Sequence, residues 1–352
     1  MLIFQSCNSN KKGTMSTIKW HDIQKWGVEG KGWKDTERYY DRLPKRARKI
    51  VPEPVWNLSR SATGMAVLFE TDAPAIHAKW ELRSAEINEI NFPAAGFSGL
   101  DIYTWIGKKW RWVAAGQLVR TPKHQQPIIE GMNPIRRKYL LYLPLRNPVV
   151  KIEIGIPAGS SFKAIPPRKE KPIVYYGTSI AHGAFASRPG MVHSAILGRW
   201  LNKPVINLGF SGNGKMEKEL AELISELDAQ IYVLDCLPNM SVELVNERVE
   251  NFVRILRAKH PKTPIVLVED RPHSNSWIRP GLMADHMKRW KAHDRIFKKL
   301  KKDGIKDIYY IKGKSLFGDD NEGSPDASHP TDLGFMRQAE IMYPVLRKLC
   351  RK

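Results

Sequence analysis

Pro172-Ile173-Val174-Tyr175-Tyr176-Gly177-Thr178-Ser179-Ile180-Ala181-His182-Gly183 is the stretch from which the chain can be read. Residues 173–176 form a short run of β-branched and aromatic side chains without alternation. That is how a strand covered on both faces of a parallel sheet reads. Gly177, Thr178 and Ser179 break the run, and an apolar pattern of helical period follows over 191–201. A serine on the turn between a buried strand and the next helix is where an α/β fold exposes a nucleophile.

Towards the carboxyl end the pattern repeats. Strands are expected at 204–208, 231–234, 265–268 and 308–311, with helices at 217–227, 242–260, 284–302 and 334–348. Five strands alternating with helices predict a parallel sheet with helices on both faces, occupying 165–352. Towards the amino end the pattern changes. Short strands are expected at 65–71, 76–83, 99–106, 110–115, 139–145 and 149–156, several with clear alternation. Residues 106–110 read as a hairpin turn. Many short strands and no long helical pattern predict a β-sandwich of the jelly-roll kind over 19–164. Residues 163–172, rich in proline and charge, read as a semi-rigid linker or boundary strand. No firm element is assigned to 20–60.

At 352 residues the chain can bury two cores, and its 42% hydrophobic and 26% charged content is that of a soluble globular protein. No apolar run reaches the roughly 20 residues that span a bilayer. The net charge of +21 is unusual. Dispersed lysines of this kind usually form a solvated face; read instead as attraction to a polyanion, without a helix-turn-helix, zinc-finger or RNA-binding aromatic signature, the charge points away from nucleic acid and leaves an acidic polysaccharide. Cys7, Cys236 and Cys350 have neither disulfide nor metal spacing. His286 and His293 lie seven apart on a lysine-rich stretch with no third ligand in view, so no metal is expected. Phe4-Gln5-Ser6-Cys7 is similar to the end of a bacterial lipoprotein signal, which would lipidate Cys7 and place the protein in the periplasm or outside the cell. Residues 1–18 are otherwise expected to be disordered.

The working site of such a sheet lies beyond the carboxyl ends of its strands. The first strand delivers Ser179. The second is followed by Ser211-Gly212-Asn213, the third by Leu237-Pro238-Asn239, and the fifth by Asp326-Ala327-Ser328-His329-Pro330. The fourth delivers Glu269, Asp270, Arg271 and His273, with Trp277 just beyond. His182, Glu269, Arg271 and Trp277 are candidate substrate contacts, the tryptophan as a stacking surface for a sugar ring.

In these blocks the sequence resembles the SGNH, or GDSL-type, hydrolases, whose four motifs contribute a serine, a glycine, an asparagine and a histidine in that order. The resemblance covers about 171–340. Thr178 stands where the family often has aspartate, and Leu237-Pro238 replaces the usual small residues before the asparagine. Gly99-Leu100-Asp101-Ile102-Tyr103 also resembles the Gly-x-Asp-Leu-Tyr motif of a β-sandwich domain preceding some bacterial esterases. The resemblance implies a flavodoxin-like three-layer α/β/α domain after the sandwich. It further implies an esterase without cofactor, similar to enzymes that remove acetyl groups from polysaccharides. Ester hydrolysis through an acyl-enzyme needs a nucleophile, a base and oxyanion donors. Ser179 would attack, His329 would act as base and then acid, and Asp326 would fix the imidazole tautomer. The backbone amides of Ser179 and Gly212 and the side-chain amide of Asn239 would bind the oxyanion. The same triad would serve a lipid or thioester acylhydrolase, and a decayed version would leave a carbohydrate-binding protein.

Overall fold

A computed structural model describes residues 17–351. Cys7 and the lipoprotein-like stretch lie outside the described residues. Two antiparallel sheets come first. Strands β1 (Ile18–Asp22), β3 (Ile76–Leu82), β6 (Lys123–Ile129) and β8 (Val149–Pro157) form one, in the order β1-β8-β3-β6. Strands β2 (Ala66–Thr71), β4 (Asp101–Ile106), β5 (Lys109–Ala115), β7 (Arg137–Tyr142) and β9 (Phe162–Ile165) form the other, ordered β5-β4-β7-β2-β9. Alternation fixes which side chains meet between them. Ile76, Ala78, Trp80 and Leu82 of β3 pack with Val67 and Phe69 of β2 and Leu141 of β7 in one buried core. The β4–β5 hairpin turns through Gly107 and Lys108, both at positive φ, as a two-residue turn of the primed type requires. Short helices α1 (Glu53–Leu58) and α2 (Ala94–Ser98) interrupt the strands.

The carboxyl-terminal part is a five-stranded parallel sheet of β10 (Ile173–Gly177), β11 (Val205–Gly209), β12 (Ile231–Asp235), β13 (Ile265–Val268) and β14 (Ile308–Ile311). Its order, β11-β10-β12-β13-β14, is the flavodoxin-like arrangement. The unbroken apolar run of β10 has a direct cause. Val174 and Tyr176 pack into one core and Ile173 and Tyr175 into another, on opposite faces. Helices α5 (Lys218–Ile224), α6 (Val242–Lys259) and α7 (Pro280–Lys302) cover the first face. Helices α3 (Ser179–His182), α4 (His193–Leu201) and α8 (Asp332–Leu349) cover the second. Among the described residues no helix is long and apolar enough to cross a membrane.

Residues 20–60, which carried no firm assignment, place Trp33, Leu43, Val51, Val55 and Trp56 in the core shared with α5 and α6. Of the two readings of residues 163–172, the boundary strand holds for their start and the rest is fastened down. Strand β9 pairs with β2, and the Arg168 guanidinium grips Glu29 at 2.6 and 2.7 Å and donates to the Asn202 carbonyl at 2.9 Å. The stretch expected to be disordered, 1–18, is corrected at its end, since β1 starts at Ile18.

Asp101 and Tyr103 of the Gly-x-Asp-Leu-Tyr-like motif tie the two parts together. The buried Asp101 carboxylate accepts from Arg188 at 2.8 Å, from the Gly190 amide at 2.8 Å and from Trp112 at 2.9 Å, while Arg188 also donates to Tyr103. Gly190 can be nothing larger, because a Cβ there would sit 2.5 Å from the Tyr103 ring. The motif therefore clamps the segment joining α3 to α4, the segment that leaves the Ser179 turn.

Candidate active site

Parallel register brings Gly177, Gly209 and Asp235 level at the carboxyl edge of the sheet. Thr178 then leaves the strand and caps α3, its hydroxyl accepting from the Ile180 amide at 3.4 Å. Ser179 is thus the first residue of a one-turn helix at the top of the central strand.

Ser179 Oγ lies 2.8 Å from His329 Nε2, and His329 Nδ1 lies 2.7 Å from Asp326 Oδ2. Since a carboxylate only accepts, Nδ1 carries the proton and Nε2 is left to accept from the serine. Asp326 is held in turn by its own loop, Oδ1 accepting from the His329 amide at 2.7 Å and the Ser328 amide at 3.0 Å. Ala327, at φ 72°, makes this tight return possible. Partial burial works against ionisation of Asp326, but those amides and the His329 ring outweigh it and hold the carboxyl below its usual range. Phe185 lies against the His329 ring with centroids 5.8 Å apart, and its amide donates to the Asn91 carbonyl of the N-terminal part at 2.8 Å.

The glycine turn after β11 runs past this serine. Gly212 and Gly214 both have positive φ, 69° and 71°. A Cβ on Gly214 would sit 2.3 Å from the Gly177 carbonyl, so the turn packs directly on the strand end that carries Ser179. Asn239 reaches the same turn, its Nδ2 donating to the Asn213 carbonyl at 2.7 Å. One hydrogen of that amide is used and the second remains for an anion. Ser179 and Asp326 thus each bond to His329, with the Gly212 turn and Asn239 braced beside them.

Three other candidates have different work. His182 is buried, with Nε2 3.1 Å from the Leu145 carbonyl and Nδ1 3.1 Å from Ser211 Oγ, and burial with Arg42 and Arg146 nearby pushes its pKa well down. Arg271 is buried in a bidentate pair with Asp235, at 2.6 and 2.5 Å, and donates to Gln338 at 2.7 Å. Burial raises the Asp235 carboxyl, but Arg271 and His193 outweigh it and draw it far below the carboxylate range. Glu269 is buried and accepts from the Gly313 amide at 2.7 Å. These three side chains support the site's frame and are not substrate contacts. Trp277 is the exception, 73% exposed on a loop whose Ser274 amide donates to the Ala327 carbonyl at 2.9 Å. His286 does not pair with His293. Its Nδ1 meets Asp270 at 2.6 Å and its Nε2 meets His273 at 2.7 Å. Among the described residues no cluster of three or more histidine, cysteine, aspartate or glutamate side chains could hold a metal.

Arg42 was not singled out by its sequence and is the least expected participant. Fully buried, it donates to the carbonyls of Asn207 at 3.2 Å and Gly209 at 2.8 Å, and to those of Leu58 at 2.7 Å and Ser61 at 3.1 Å. Burial, with Arg146 nearby, draws its pKa to about 9. No local signal distinguishes it from the other basic residues around it.

A serine, histidine and carboxylate linked by hydrogen bonds at the carboxyl edge of a doubly wound sheet are the machinery of a serine hydrolase. Comparison with known proteins makes the class specific. The model of the GDSL-like lipase/acylhydrolase family matches residues 170–347, and that of the N-terminus of SGNH-hydrolase-type esterases, GxDLY, matches 18–162. The chain belongs to the GDSL-like lipase/acylhydrolase family. A GDSL-like lipase structure from Bacteroides ovatus ATCC 8483 is 32% identical, with a TM-score of 0.89 over 95% of this chain and 98% of the other. A salicylyl-acyltransferase from a tetracycline biosynthetic pathway is 21% identical, TM-score 0.72, covering 92% and 94%. A family two carbohydrate esterase from Cellvibrio japonicus is 12% identical, TM-score 0.59, covering 96% and 99%. The last two share the fold. No curated protein matches the chain by sequence.

Proposed function

We propose that this enzyme removes short acyl groups, most simply acetyl, from a carbohydrate through an acyl-enzyme on Ser179. The observation that carries the reading is the unbroken hydrogen-bond chain Ser179–His329–Asp326. Ser179 Oγ attacks the ester carbonyl and gives its proton to His329 Nε2, while Asp326 stabilises the imidazolium that forms. The amides of Ser179 and Gly212 and the free hydrogen of Asn239 Nδ2 receive the oxyanion. His329 then protonates the departing sugar oxygen, and water repeats the sequence in reverse to release the acid.

Openness of the site supports a small acyl group on a large, solvent-borne substrate. The His329 and Asp326 side chains are 21% and 38% exposed, more than a site closed over a long acyl chain would leave them. The exposed Trp277 beside the catalytic loop offers a face for a sugar ring. The net charge of +21 favours an acidic glycan among the alternatives. The test is acid release from p-nitrophenyl acetate, longer acyl and thioester analogues, and a panel of acetylated neutral and acidic polysaccharides, comparing wild type with Ser179→Ala. Acetate released from a glycan by wild type alone supports the proposal. Preference for long acyl chains or thioesters would replace it with a lipid or thioester acylhydrolase. Glycan binding without release would leave a carbohydrate-binding protein.

A further inference from the structure

The segment that bears Arg42 and Ser61 reaches the oxyanion side of the site through a chain of buried polar contacts that the chemistry above does not use. Arg42 Nη1 fastens the carbonyls of Asn207 and Gly209, the last turns of β11 before Phe210-Ser211-Gly212. Its guanidinium also stacks on the Phe210 ring, 4.8 Å from the centroid. Its other nitrogen, Nη2, reaches Ser61 Oγ at 3.3 Å, and Ser61 Oγ lies 3.3 Å from His182 Nε2. His182 completes the connection to Ser211.

The partners determine the state of His182. The Leu145 carbonyl can only accept, so the ring proton is on Nε2, and Nδ1 must accept from the Ser211 hydroxyl. His182 also stands three residues after Ser179 on the same helical turn. One neutral imidazole therefore fixes the distance between the turn carrying the nucleophile and the turn carrying the Gly212 amide. Gly64 brings the N-terminal segment down on the same strand, where a Cβ would sit 2.5 Å from Asn207 Cβ. A guanidinium buried among carbonyls, with no carboxylate among the described residues bonded to it, is costly to desolvate, and here it serves the two carbonyls preceding the oxyanion turn.

We infer that Arg42 and Ser61, from the N-terminal part of the chain, act through His182 as positioning residues that set the Gly212 turn in register with Ser179. The inference rests on the esterase reading above and adds to it that the oxyanion hole is held in place by residues outside the matched hydrolase region. Mispositioned donors cost transition-state binding and leave ground-state binding alone.

The test uses the full chain with Ser211→Ala, which breaks the last link on a half-buried residue, and Ser61→Ala, which breaks it one step earlier. With p-nitrophenyl acetate each variant is expected to lose about tenfold in kcat with KM within about twofold. Labelling of Ser179 by diethyl p-nitrophenyl phosphate, whose phosphoryl oxygen needs the same donors, should slow in parallel. Combined with Asn239→Ala, the Ser211→Ala loss should be smaller than in the wild-type background, because both act on one oxyanion hole. Losses that multiply independently, or unchanged kcat in a folded Ser211→Ala protein, would overturn the positioning role while leaving the esterase intact. A wild type that neither hydrolyses nor becomes labelled would overturn both.

Discussion

Replacing Asp326 by asparagine tests the triad without changing its shape. In the native loop Oδ1 accepts two backbone amides, from His329 at 2.7 Å and Ser328 at 3.0 Å, and Oδ2 accepts the ring proton at 2.7 Å. An asparagine that keeps Oδ1 on the two amides turns its NH₂ towards His329 Nδ1. The ring then accepts at Nδ1 and carries its proton on Nε2, where it faces Ser179 and cannot act as a base. Flipping the amide would restore the productive tautomer but set NH₂ against two backbone donors. Two lost bonds at about 1–3 kcal/mol each favour the wrong tautomer by about 2–6 kcal/mol. At about 1.36 kcal/mol per decade this is roughly 30-fold to 10⁴-fold. Asp326 is 38% exposed, so water softens the penalty, and we expect about 10³-fold in kcat for p-nitrophenyl acetate. KM should hold, because Asp326 touches His329 and not the ester. Both backbone amides keep an acceptor, so the melting temperature should shift by only a few degrees. A folded Asp326→Asn protein with kcat within tenfold of wild type would refute the tautomer argument.

Gly212→Ala and Gly214→Ala should separate strain from collision. The first meets open space and costs about 1–2 kcal/mol for its left-handed backbone; the second also drives a methyl into the Gly177 carbonyl below Ser179, and should lose more than about 100-fold in kcat with a larger drop in melting temperature. Arg271→Leu strands the buried Asp235 charge and should cost about 3–5 kcal/mol in urea unfolding at pH 7. The native Asp235 carboxyl is depressed, so its stabilisation is present above the unfolded value near 3.9 and lost only as pH falls through its far lower folded value; without Arg271 burial raises it instead, so the deficit of the variant should shrink from pH 7 towards pH 4. Trp277→Ala should raise KM for an acetylated polysaccharide about five- to tenfold and leave kcat/KM for p-nitrophenyl acetate unchanged; equal losses on both substrates would remove Trp277 from glycan binding.

What the sequence showed and what it hid divide along a physical line. Central strands such as β10 and β12 are buried on both faces, and that burial writes itself into an unbroken apolar run. The three strands without a readable pattern, β1, β6 and β9, are all edge strands. These three edges pair on one side and are kept polar or interrupted, as Pro127 interrupts β6, so their pattern is weak, whereas the parallel edges β11 and β14 keep readable apolar runs. The active site divides in the same way. Ser179, Gly212, Asn239 and His329 each follow a readable strand, so their common edge could be inferred from chain order. Arg42, Ser61 and the true setting of His182 depend on contacts between residues more than 100 positions apart, such as Arg42 with Gly209 and Ser61 with His182. No local period records such a pairing. Glu269 and Arg271 were legible as residues at the active edge but not as buried ones, because the side chains that enclose Arg271, Asp235 and Gln338, come from β12 and α8. Chain order could therefore reveal the groups that react, and only the fold could reveal the groups that hold them. Two of those holding groups, Arg42 and Ser61, come from the other part of the chain and reach the strand and helix that lead into the site.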